Sequence, residues 1–334
     1  MAATFQVGLT ARSSSERDSR LYRILWAEEQ GYESIWITDG GGRMDGLTLC
    51  GAAAVKTSRI RICLSVVPVY TRPVAVLATS AMSISQFAPN RFVMGLGASS
   101  HTMVQEWYGT PFEKPLTRVK ETAILLRKIF AGEKTDFDGE TVSSHNFRLD
   151  VPVQGRIPIY MAALRPKMLE MAGEFADGIV LNLAPLEAVP RMLEHIDAGA
   201  KRSGRRVEDL EIACLFNTYV TDDVAKAERD FALTAAYYFS TIVYNKFLAW
   251  CGYRVEAEAI AQGFKQRDRS KSLNVLSREL IHKLAIIGNE QECRDRVRAY
   301  WKAGINTPII GGDSLDHDVY LRTIRAFTPS AMGA

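Results

Sequence analysis

Three stretches of the chain bring together residue types that could do chemistry. Residues 95–109 read GLGASSHTMVQEWYG, so an apolar run ends in the small hydroxyls Ser99 and Ser100, then His101, with Glu106 five positions on. Hydroxyls can hold the tail of a ligand, and a histidine or carboxylate beside them can relay a proton near neutral pH. Singly, each such residue is more often structural or solvated than catalytic. Residues 158–182, PIYMAALRPKMLEMAGEFADGIVLN, run from a strand through Ala162, Ala163 and Leu164 into Arg165, Pro166 and Lys167. A helix that starts there offers free N–H groups and partial positive charge, and two cations in its first turn make it a seat for a phosphate. The plain alternative is that Arg165 and Lys167 are merely solvated. Residues 65–73, SVVPVYTRP, end an apolar run in two prolines and a Tyr-Thr-Arg. A flat apolar wall followed by polar groups suits a planar heteroaromatic ring, and an ordinary strand end with a rigid loop would read the same way.

Several chemistries find no support. The histidines, His101, His145, His195, His282 and His317, have no metal-ligand spacing, and there is no HExxH. No GxSxG elbow is present. Gly95-Leu96-Gly97 begins like a dinucleotide fingerprint, but Ser100 stands where the third glycine belongs. A tight turn where a strand leaves the sheet explains it as well.

The elements that must position these stretches repeat in a rhythm. Apolar runs at 5–9, 34–38, 60–67, 91–96, 157–162, 178–182, 210–220 and 307–310 read as strands. Amphipathic stretches at 15–30, 46–54, 73–86, 116–130, 166–175, 185–201, 223–236 and 291–303 read as helices, the first stopped by Gly31 and the third opened by Pro73. The rhythm breaks at 134–149, a β-hairpin with Asp138-Gly139 at its turn. It breaks again at 237–288, a helical insertion before the last strand. There the aromatic group Tyr237, Tyr238, Phe239, Tyr244, Phe247 and Trp250 reads chiefly as the insertion's own core. Near-continuous apolar strands alternating with helices mean a parallel sheet buried on both faces. Eight units favour a (β/α)₈ TIM barrel, an α/β fold, over an open sheet, and no linker divides the single domain 1–334. In a barrel, function belongs at the C-terminal strand ends, where the three stretches, Asp39, Asn182, 217–219 and 311–313 all fall.

The 334 residues carry 41 Lys and Arg against 38 Asp and Glu, interspersed, for a net charge of +3. Without a basic tail or charge block, nucleic acid is not an expected partner. The five cysteines are isolated and odd in number, which suggests reduced, buried thiols of a cytoplasmic protein. Neither a signal peptide nor a membrane span is evident.

The three stretches, in this order, resemble the luciferase-like monooxygenase family, above all its coenzyme F420-dependent branch, which includes methylenetetrahydromethanopterin reductase. SIWITD at 34–39, RFVMGLGASS at 91–100, PFEKPLTRVKETAILLRKIFAGEKTDFDGE at 111–140 and the 158–182 stretch carry the resemblance, the last most specifically. It implies a luciferase-like barrel and a homodimer. It implies a cis peptide at the end of strand three, Ser65-Val66 by position. Ser65, Val66, Val67 and Pro68 would then back a deazaflavin ring. Ala162, Ala163, Leu164, Arg165 and Lys167 would hold the phosphate, and Ser99, Ser100 and His101 would lie near the ribityl chain or ring edge. Asp39 would stand near the ring. Several members follow that aspartate with a histidine, whereas this chain has Gly40, which moves the proton relay to His101 or Glu106. The implied reaction is hydride transfer between C5 of F420 and a small-molecule substrate. FMN with oxygen chemistry is the alternative on the same fold, and non-catalytic ligand binding a third.

Overall fold

The computed structural model describes residues 6–11, 19–42, 44–311 and 316–333. Residue 5 of the expected first strand, 15–18 of the expected first helix, and 312–313 lie outside the described residues. The described strands are β1 (Gly8–Thr10), β2 (Ser34–Ile37), β3 (Arg61–Leu64), β4 (Val67–Pro68), β5 (Phe92–Gly97), β6 (Asp136–Asp138), β7 (Ser143–His145), β8 (Ile159–Ala162), β9 (Gly178–Asn182), β10 (Glu211–Val220), β11 (Ala285–Gly288) and β12 (Thr307–Gly311). β1, β2, β3, β5, β8, β9, β10 and β12 pair in that order, all parallel, and β12 pairs back onto β1, so the sheet closes into a barrel. No helix among the described residues is long and apolar enough to cross a membrane.

Two hydrophobic sets hold the barrel. Trp36, Cys63, Val93, Tyr160, Val180, Ala213 and Ile309 fill its interior. A larger set packs the outer faces of the strands against the helices. The floor of the barrel is polar. Arg61 at the start of β3 meets Glu211 at the start of β10 through two hydrogen bonds of 2.6 Å. Tyr160 Oη and, at 2.7 Å, Thr307 Oγ1 also donate to Glu211. Burial pushes the Glu211 carboxyl up, but Arg61, Tyr160 and Thr307 outweigh that and hold it below the usual carboxylate range.

The helix Pro166–Phe175 starts with proline at its first position and packs on the helix Val189–Arg202. Two glycines set how closely. A Cβ at Gly173 would lie 2.1 Å from the Ile196 carbonyl oxygen, and one at Gly199 would lie 1.9 Å from that of Glu170. The contact therefore requires glycine at both positions, and it fixes where the first turn of the helix points.

Most expected elements appear within a few residues of their expected bounds, including the hairpin β6–β7 with Gly139 N–H donating to Val142 O at 2.9 Å. Three expectations need correction. The third strand is not continuous over 60–67: it stops at Leu64 and resumes as β4 after a bulge. Gly95-Leu96-Gly97 is not a turn but lies within β5. The insertion is not helical to residue 288, because its last four residues form β11, which pairs with 217–220 of β10. Its aromatic residues divide as well: Phe239 packs in the insertion's core, whereas Phe247 joins the barrel's outer core and Tyr237 is exposed.

Candidate active site

The bulge is the centre of the C-terminal mouth. The Ser65-Val66 peptide is cis, and Ser65 N–H donates to Ile37 O at 2.7 Å. β4 then pairs with the end of β5, Val67 with Leu96 and Pro68 with Gly97. The glycines of β5 admit this path. A Cβ at Gly95 would lie 1.9 Å from Leu64 O, and one at Gly97 would lie 2.4 Å from Val66 Cγ2 and 3.5 Å from the Ala162 Cβ. Val66, packed against Gly97 and flanked by Ala162, thus forms an apolar wall without polar atoms in its side chains, as a planar ring requires.

The rim around this wall holds polar groups in different states. Among the described residues, Thr10 Oγ1 and Asn182 Oδ1 are buried without a hydrogen-bond partner. Buried polar atoms left unpaired cost free energy, and a ligand group is one way they become satisfied. Asn182 Nδ2 donates to Tyr244 Oη at 2.8 Å, so the helix Ile242–Trp250 of the insertion reaches the mouth.

Asp39, by contrast, is fully committed. Its Oδ1 accepts from Gly46 N–H and its Oδ2 from Arg72 Nη1, both at 2.7 Å. Only 4% of its side chain is exposed. Arg72 also binds Asp45, which caps the helix Gly46–Lys56 through Thr48 N–H. Burial pushes the Asp45 carboxyl up, yet the Thr48 hydrogen bonds and the Arg72 charge together keep it below the usual range.

Ser99 sits at φ +66° and donates to Met103 Sδ at 2.9 Å, while Ser100 Oγ accepts from Met103 N–H at 3.3 Å. His101 precedes a π-helical segment, Thr102–Trp107. It stands 3.8 Å from Glu106, and both side chains are more than half exposed. Tyr108 follows, and its Oη accepts from Gly41 N–H at 3.1 Å. The loops after β2 and β5 are joined there.

On the phosphate side, Ala162 and Leu164 are half-buried and Ala163 is buried. Arg165 is the N-cap of the helix Pro166–Phe175 in extended conformation, and no side chain caps the helix. Arg165 and Lys167 are exposed, and among the described residues neither is engaged by a carboxylate.

The strand ends therefore bring the bulge, the 99–101 loop and the 162–167 segment around one mouth. Sequence reasoning gave Thr10, Arg72 and Tyr108 no role of their own, and read Tyr244 chiefly as part of the insertion's core, with a wall of the substrate site as the alternative. Arg72 and Tyr108 lie within stretches already singled out, but their partners Asp39 and Gly41 are 33 and 67 positions away. Thr10 carried no signal.

Comparison with known proteins gives the family and the fold. The family described as luciferase-like monooxygenase matches residues 4–307. A 5,10-methylenetetrahydromethanopterin reductase of Methanolobus tindarius is 28% identical over 291 residues, covering 86% of this chain and 88% of that protein. An F420-dependent glucose-6-phosphate dehydrogenase of Beutenbergia cavernae is 28% identical over 236 residues, covering 65% and 68%. The solved structure of the coenzyme F420-dependent tetrahydromethanopterin reductase of Methanopyrus kandleri has the same fold, with a TM-score of 0.79, 22% identity and 98% of each chain covered.

Proposed function

The chain belongs to the luciferase-like monooxygenase family, a family of oxidoreductases, and we propose that it is an F420-dependent enzyme that moves a hydride between the deazaflavin and a carbon of a small organic substrate. The observation that carries this reading is the wall of Val66, Gly97 and Ala162 beside an uncapped helix start bearing Arg165 and Lys167. A planar ring and a phosphate would each find a fitting surface. The names of the two curated relatives, one printed as F420-dependent, point the same way.

F420 when bound supplies the two-electron chemistry. Ser65, Val66, Val67 and Pro68 would back its ring, and Ala162, Ala163 and Leu164 would leave room for the linker. Arg165 and Lys167 would neutralise the phosphate. Ser99 and Ser100 would meet the ribityl chain. Asp39 would act by positioning, since both its oxygens hold the Gly46 and Arg72 segments in place. His101 and Glu106, exposed at the rim, would pass protons between the mouth and solvent.

Titration with F420 and with FMN, followed by ligand fluorescence, tests the cofactor. Saturable F420 binding with at least tenfold weaker FMN binding is expected. FMN binding without an F420 response would replace the reading by an oxygen-using flavin monooxygenase. If both bound but no substrate altered the bound cofactor, a binding protein would remain.

The molecule would work as a homodimer. The helices Gly46–Lys56 and Val74–Phe87 turn Val55, Val76 and Phe87 outward, 61%, 48% and 59% exposed. Apart from Lys56 these two helices bear no charge, and an uncharged apolar face of this kind suits an interface with a second copy. Val55→Asp combined with Val76→Asp should convert a dimer into a folded monomer in sedimentation velocity. A wild-type protein that sediments as a monomer would refute the assignment.

A further inference from the structure

We propose that Tyr108 is the proton donor and acceptor of the reaction, a role that rests on the hydride-transfer reading above. A hydride added to the carbon of a C=O or C=N bond sends the π pair to the heteroatom, which must gain a proton. In the reverse direction a base must take that proton away. Some group at the ring side of the mouth has to hold it.

The geometry singles out one group. Asp39 has both oxygens engaged by Gly46 and Arg72. His101 and Glu106 stand at the solvent rim, facing each other. Tyr108 is different. Gly40 and Gly41 take φ of +95° and +72°, conformations that glycine adopts without strain, and this turn aims Gly41 N–H at the phenol oxygen. The point where a side chain at position 40 would begin lies 3.3 Å from Met103 Sδ, 3.6 Å from Pro68 Cγ and 3.7 Å from Tyr108 Oη. The phenol, the ring-backing segment and the Met103 thioether therefore meet around Gly40, and the unbranched methionine side chain is the part that can give way to a substrate. The oxygen accepts from Gly41, and among the described residues no group accepts the phenol's own proton. Tyr108 is 41% exposed, so both a substrate and solvent can reach it.

In the reducing direction the substrate carbon gains the hydride from the reduced deazaflavin. The Tyr108 O–H bond breaks as its proton joins the substrate heteroatom. The Gly41 N–H then faces the phenolate oxygen, where the negative charge has developed, and solvent returns the proton. In the oxidising direction the same atoms move in reverse.

The test uses the F420-loaded protein with secondary alcohols, aldehydes and cyclic imines as probes. Tyr108→Phe should keep F420 affinity within about threefold and lower turnover roughly 100-fold or more, as expected for loss of general acid–base help. Difluorotyrosine at position 108 should restore turnover with the limb that the phenol sets moved to lower pH, the alkaline limb for aldehydes and imines and the acid limb for secondary alcohols, a displacement that a merely structural clasp would not give. Full turnover in Tyr108→Phe would overturn the proposal. If no probe is turned over, the ¹³Cζ resonance of Tyr108, identified by its loss in Tyr108→Phe, decides. F420 should shift both the resonance and its ionisation midpoint, and an unmoved resonance in a protein that binds F420 would overturn the assignment. A wild-type protein that binds no F420 fails the cofactor reading itself, and the titration alone reveals that.

Discussion

Replacing Arg165 and Lys167 together by alanine is expected to weaken F420 binding by roughly 100-fold or more while leaving the barrel folded. A charge-assisted hydrogen bond contributes about 1.5–3 kcal/mol, and each 1.4 kcal/mol is a factor of ten. Two such contacts at an exposed site are screened, so the lower end applies to each. The helix start would remain, with its uncapped N–H groups and partial positive charge, so binding should be weakened and not abolished. Both side chains are exposed and unpaired by carboxylates among the described residues, so their removal should change stability by less than about 0.5 kcal/mol. Added salt should weaken the wild type more than the double variant. Isothermal titration at two ionic strengths, with a thermal melt as control, reads all of this. A change in affinity below about threefold would place the phosphate elsewhere.

The largest stability effect is expected at the opposite end of the barrel. Glu211→Ala leaves Arg61 in a largely enclosed floor without its carboxylate, and breaking such a pair costs about 3–5 kcal/mol. Tyr160 and Thr307 lose their acceptor in the same step. Glu211→Leu with Arg61→Met should cost less than Glu211→Ala alone, because no uncompensated charge remains. The native pair also has a pH signature. Since folding lowers the Glu211 pKa below its ordinary 4.5, the unfolded chain takes up the proton first as pH falls. The stabilisation is therefore complete above the ordinary value and fades as pH drops through the lowered one. Urea unfolding of the wild type and Glu211→Gln from pH 7 to pH 3 should show a gap in stability that is constant above about pH 5 and narrows below it. A gap that stays level through the acid range would remove Glu211 from this account.

The barrel itself could be read in the sequence because strands buried on both faces are apolar through their middle, as 35–37 of SIWI and 179–181 of GIVLN are. The helix start proposed to seat a phosphate was equally readable, since Ala162 through Lys167 are contiguous and proline at the first position marks where the helix begins. What stayed hidden depends on distant partners. Gly95 and Gly97 are explained only by Leu64 and Val66 pressing on them from the neighbouring strand. The commitment of Asp39 depends on Arg72, and a carboxylate that looks free in a list of strand ends is a tether in the fold. β11 hid because AIIG follows a helix without a break and is too short to show a period of its own.

β10 has a practical bearing on engineering. Its longer part, 211–217, is a stave of the barrel, while 217–220 are paired by β11, the closing segment of the insertion. Exchanging insertions between relatives to alter what the mouth admits is an obvious way to build chimaeras. A splice placed before Ala285 would divide the insertion, leaving the host's Ala285–Gly288 to pair with β10 while Ala285 and Ile287 face foreign helices in the core they share with the insertion. Chimaeras should therefore be joined after Gly288, so that the transplanted piece brings its own seam with it.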